Sequence, residues 1–96
     1  LVITFEQAKQ IANSEIQRHA PVGVSIGIDE EHTIEKSYGW VFFYNSKEYL
    51  DGGDMKKALA GNAPIIVLKE NGSIKVLGTY KPTEEFIREF ETENNL

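Results

Sequence analysis

His19 and His32 are the only imidazoles in these 96 residues, and there is no cysteine, which excludes a thiol nucleophile, a thiolate metal site and a disulfide scaffold. A hydrolase or transferase would need a nucleophile with a base in reach, or two carboxylates with separated pKa values. The residues closest to this are Asp29, Glu31, His32, Asp51 and Asp54, members of which would have to converge in one cleft to act on a substrate. The run Asp29-Glu30-Glu31-His32 sets hard oxygen donors side by side but lacks the alternating ligands and central glycine of a calcium loop, so it reads as a solvated turn. Asp51-Gly52-Gly53-Asp54 raises the same question, and a turn in which Asp54 caps a following helix accounts for all four residues. His19 falls near a helix end, where the dipole favours a cation. No nucleophilic-serine motif, phosphate loop or His-x-x-x-His spacing occurs. The expectation is a protein with no catalytic residue, no metal and no cofactor.

Charge directs attention to the surface instead. Ten Lys and Arg stand against 15 Asp and Glu, a formal charge of −5. Residues 82–96 hold five glutamates and one arginine, so the acidity is terminal. This balance disfavours nucleic acid and anionic lipid. It leaves the last segment as either a solvated helix face or a docking surface for a basic partner. Glu84, Glu85, Glu89, Asp51 and Asp54 are the candidate partner-binding groups, with Tyr49 as an aromatic anchor. The aromatic set Tyr38, Trp40, Phe42, Tyr44 and Tyr49 would suggest a single-strand nucleic-acid platform in a basic chain; in an acidic one it reads as core. No apolar run approaches the roughly 20 residues that cross a bilayer, and no leader pattern opens the chain, so a cytoplasmic setting is expected.

The elements that must carry these groups are set by periodicity. Thr4-Phe5-Glu6-Gln7 forms a capping box, and Phe5, Ala8, Ile11, Ala12 and Ile16 recur on one face of a helix that Pro21 ends. Val22, Val24, Ile26 and Ile28 alternate as a strand from Val22 to Ile28. Tyr38, Trp40, Phe42 and Tyr44 face one way and Val41 and Phe43 the other, which predicts an interior strand covered on both sides. Glu48-Tyr49-Leu50 reads as a short extended piece, followed by a short helix through Met55–Ala60 that Gly61 stops. Ile65–Leu68 and Ile74–Leu77 form a hairpin about Asn71-Gly72, read as a type I′ turn. A last helix starts with Pro82 near its first position and buries Phe86, Ile87 and Phe90. One α+β domain over 1–96 is expected, an antiparallel sheet with both terminal helices packed on one face and a short helix between strands.

From Gly39 onward the chain resembles the YrhB-like, immunity protein 35 family of small bacterial proteins. The resemblance rests on Gly39-Trp40-Val41-Phe42-Phe43-Tyr44, Ser46-Lys47-Glu48-Tyr49-Leu50, Ala58-Leu59-Ala60-Gly61-Asn62-Ala63-Pro64-Ile65-Ile66-Val67 and Asn71-Gly72-Ser73, and covers roughly Tyr38 to Phe90. It implies a non-enzymatic α+β immunity protein that neutralises a cognate toxin domain by binding it. The family's hallmark tryptophan corresponds to Trp40, read as structural. Two other functions stand beside this one: a chaperone-like or housekeeping interaction module working through exposed apolar surface, and an enzyme built on the acids and His32 named above.

Overall fold

The computed structural model describes residues 2–96. Helix α1 runs Phe5–Arg18 and begins as its capping box requires: the Gln7 N–H donates to Thr4 Oγ1 at 3.1 Å and the Thr4 N–H to Gln7 Oε1 at 2.9 Å. Strand β1 is short, Ile26–Ile28. The expected strand start at Val22 does not form, because Pro21-Val22-Gly23-Val24 closes a turn. The Val24 N–H donates to Pro21 O at 3.2 Å and Gly23 takes φ +79°, a left-handed value that a side chain would resist. Val22 is therefore fully exposed.

Strands β2 (Ile34–Lys36), β3 (Gly39–Phe42) and β4 (Tyr44–Ser46) come next. The aromatic run is thus cut at Phe43 rather than continuous. β4 leaves to pair with β1, with Ile26 opposite Ser46, while β3 stays between β2 and β5 (Ile65–Leu68). β6 (Ile74–Val76) closes a four-stranded antiparallel sheet of order β2-β3-β5-β6. The β5-β6 turn is not type I′: only Gly72 has positive φ, at +74°. Asn71 instead accepts the Ser73 N–H on its side-chain oxygen at 2.9 Å, and the Gly72 N–H reaches Leu68 O at 2.8 Å.

The helix expected over Met55–Ala60 forms earlier. Helix α2 spans Lys47–Gly52, covering the piece read as extended. Ser46 caps it by accepting the Tyr49 N–H at 3.1 Å, and Gly53 ends it in the left-handed region. Asp54 does act as a cap, accepting the Lys56 N–H at 3.0 Å, but for a single 3₁₀ turn, Met55–Lys57. Helix α3 spans Thr83–Glu93 and buries Phe86, Ile87 and Phe90 as expected.

The α+β class stands, but the two long helices do not share a face. Ala8, Ala12 and Ile16 of α1 pack against Trp40, Phe42, Ile65 and Val67. Phe86, Ile87 and Phe90 of α3 pack against Val41, Ile66 and Leu77. Because side chains alternate across a strand, these two sets occupy opposite faces of β3 and β5. Every side chain of β3 is buried for this reason, and each large one contributes about 2 kcal/mol of burial. Tyr38 lies in the turn before β3, so the alternation does not include it, and it packs on the α3 side against Phe90 with ring centroids 5.9 Å apart.

Candidate partner-binding surface

The segment between β4 and β5 is held to the body by three side chains of modest size. Asn45 Oδ1 accepts the N–H of Ser46 at 2.8 Å and that of Leu59 at 2.7 Å. Ser46, buried, donates its hydroxyl to Lys57 O at 2.6 Å while it caps α2. Asn62 Nδ2 donates to Tyr44 O, so the Leu-Ala-Gly-Asn-Ala-Pro string is fastened to β4 rather than hanging free. Neither Asn45 nor Ser46 stands out as a site residue in the sequence. The signal for their role was a serine three residues ahead of Tyr49, with Gly52-Gly53 closing the same stretch.

This fastening sets Tyr49 at the wall of an open cleft of about 440 Å³, shared with Asp29, His32, Phe43, Tyr44 and Asn45. His32 Nδ1 lies 2.7 Å from Asp29 Oδ2. Burial raises the pKa of the Tyr44 hydroxyl and keeps it neutral. The cleft offers a carboxylate, an imidazole and aromatic rings, a set suited to gripping a side chain. Of the five groups from which an enzyme could draw, Asp29 and His32 meet here, while Glu31, Asp51 and Asp54 do not line the cleft. Among the described residues no three His, Asp or Glu side chains approach closely enough to hold a metal ion. Asp51 and Asp54 are exposed at the end of α2.

The second acidic surface is α3. Glu91 turns inward, accepting the Tyr38 hydroxyl at 2.7 Å with Lys36 Nζ at 3.4 Å. The Tyr38 hydrogen bond, helped by Lys36, holds its carboxyl below the usual range against an opposing push from burial. Glu89 pairs with Lys81. Glu84, Glu85 and Glu93 are exposed and form no ion pair among the described residues. The six candidate partner-binding residues therefore fall on separate places: Tyr49 in the cleft, Asp51 and Asp54 on the turn after it, and Glu84, Glu85 and Glu89 on α3.

Trp40 belongs to the frame rather than to either surface. It is buried, meets Phe5 edge-on at 6.0 Å between ring centroids, and carries Lys69 Nζ 5.0 Å from its own centroid.

The family model described as Immunity protein 35 matches residues 6–90, so α1 from its second residue and all of β1 lie within the family region, which is wider than the Tyr38–Phe90 stretch recognised by its motifs. A protein of Escherichia coli (strain K12), described as "Uncharacterized protein YrhB", is 47% identical over 55 residues, covering 57% of this chain and 58% of its own length. No solved structure matches. With the family model spanning nearly the whole chain, this protein belongs to the immunity protein 35 family.

Proposed function

We propose that this chain, acting as one α+β domain in the cytoplasm, neutralises a cognate bacterial toxin domain by direct binding and performs no catalysis of its own. The observation that carries this is the face of α3, where Glu84, Glu85 and Glu93 remain without internal ion pairs beside a family assignment to immunity proteins. Unpaired carboxylates on a chain of charge −5 accelerate the approach of a basic protein and repel nucleic acid and anionic membranes. Glu84, Glu85 and Glu89 form the long-range part of this surface; Tyr49, with Asp51 and Asp54 after it, supplies an anchor that becomes desolvated on contact. Among the described residues no serine, threonine or cysteine lines the cleft that holds the Asp29–His32 pair, which favours binding over turnover there.

The test is co-expression with the toxin encoded beside this protein. Restored growth and recovery of a complex that weakens as salt rises support the reading. Absence of both rescue and complex overturns it, and salt-insensitive capture of varied unfolded chains would favour a chaperone-like module.

A further inference from the structure

A strand at the margin of a sheet leaves half of its backbone groups unpaired, and β6 is such a strand. The Leu68 N–H donates to Ser73 O and the Leu77 N–H to Pro64 O, both at 2.9 Å, so Ser73, Lys75 and Leu77 direct their backbone groups toward β5. Ile74 and Val76 consequently direct their N–H and C=O groups away from the sheet, where no neighbouring strand lies among the described residues. Both side chains are also uncovered, 39% and 49% exposed.

Two clefts flank this edge. On the α1 side, about 230 Å³ is lined by Ile16, Tyr44, Ala63, Ile65 and Val76, with Glu15 at its border. On the α3 side, about 290 Å³ is lined by Lys75, Leu77, Tyr80, Phe86, Glu89 and Glu93. An added strand alternates its side chains between such clefts, apolar residues toward α1 and polar ones toward α3. Lys75 stands on the α3 side without an ion pair among the described residues. A second copy pairing antiparallel about Lys75 would set Lys75 against Lys75, and like charges directly opposite destabilise a sheet. Glu93, without an ion pair among the described residues, favours positive charge one pair further along, beside a Glu89 already engaged by Lys81.

We propose that β6 receives an extended segment of a partner protein as a fifth strand of this sheet. The segment presents apolar β-branched residues opposite Ile74 and Val76, a hydroxyl residue opposite Lys75, and Lys or Arg opposite Ser73 or Leu77. This deepens the binding reading above and rests on it for the partner being a toxin.

The probe is the capped peptide Arg-Val-Thr-Val-Arg, whose side-chain pattern is the same in either direction, titrated into the full chain and followed by amide NMR and hydrogen exchange. Saturable shifts at Ile74 and Val76, with exchange slowed about tenfold there and unchanged at Lys75, support the proposal. The peptide Glu-Val-Thr-Val-Glu should bind about tenfold more weakly at low salt. Val76→Pro removes an outward N–H without touching the β5 ladder, and Val76→Lys places charge on the edge; a folded form of either should lose the peptide shifts. No response at Ile74 and Val76, or protection there that grows with protein concentration and without peptide, overturns the proposal. Toxin rescue is not read in this experiment: lost peptide docking with intact rescue removes the β6 site alone, and intact docking without rescue removes the toxin alone.

Discussion

The Tyr38 hydroxyl donates to the Glu91 carboxylate at 2.7 Å, tying the turn before β3 to the last helix across 53 residues of chain. Lys36 joins the same carboxylate, so one glutamate of the acidic helix is withdrawn from the surface to lock α3 onto the sheet. Glu84, Glu85 and Glu93 of the same helix are left to face solvent, so the proposed binding role and the locking of the helix fall to different glutamates of one element.

Tyr38→Phe should cost about 1 kcal/mol at neutral pH, since a hydrogen bond to a partly exposed carboxylate is lost. The pH dependence has a definite sign. The folded Glu91 value is depressed below 4.5, so its contribution is present above that pH and disappears as pH falls through the folded value. Urea unfolding midpoints of Tyr38→Phe should therefore fall less steeply than wild type below about pH 5. Parallel profiles would show that the hydrogen bond does not set the shift.

Asn45→Ala should destabilise by about 2 kcal/mol, because the Leu59 N–H loses its acceptor in a partly buried place. Amide exchange at Leu59 should accelerate more than exchange in β3. Uniform acceleration would mean that the segment after α2 is not separately held.

Gly39→Ala tests a close backbone approach in the sheet. An added Cβ would sit 2.2 Å from Val67 O, and the strand pair cannot yield without breaking its ladder. A loss of about 3 kcal/mol or failure to fold is expected in thermal unfolding.

The combined variant Glu84→Gln, Glu85→Gln and Glu89→Gln should leave stability within about 1 kcal/mol, as the first two interact mainly with the helix dipole. Its association rate with the toxin should drop about tenfold at low salt and approach the wild-type rate at high salt. A wild-type rate at both salt concentrations would place the binding surface elsewhere.

Local signals in the sequence were sufficient for several short segments that contained their own determinants, although α2, the Pro21-Val22-Gly23-Val24 turn and the Asn71-Gly72 turn are equally local and were read otherwise. The Thr4-Gln7 box, the apolar stripe of α1, the β5 run, the Asp54 cap and the buried Phe86, Ile87 and Phe90 all depend on neighbours within a few residues. The motifs from Gly39 to Ser73 likewise carried the family, which the match over residues 6–90 shows. What required tertiary structure was every relation between distant segments. Alternation in β3 announced that both faces needed cover, yet which helix covers which face depends on how the chain crosses the sheet; α1 and α3 took one each. Tyr38 lies two residues from Trp40 but on the other side, because the turn suspends the strand period there. The proposed binding groups were legible as five acids and a tyrosine, whereas their separation into a cleft, a turn and a helix was not, because a sequence records what a side chain is and only packing decides what stands beside it.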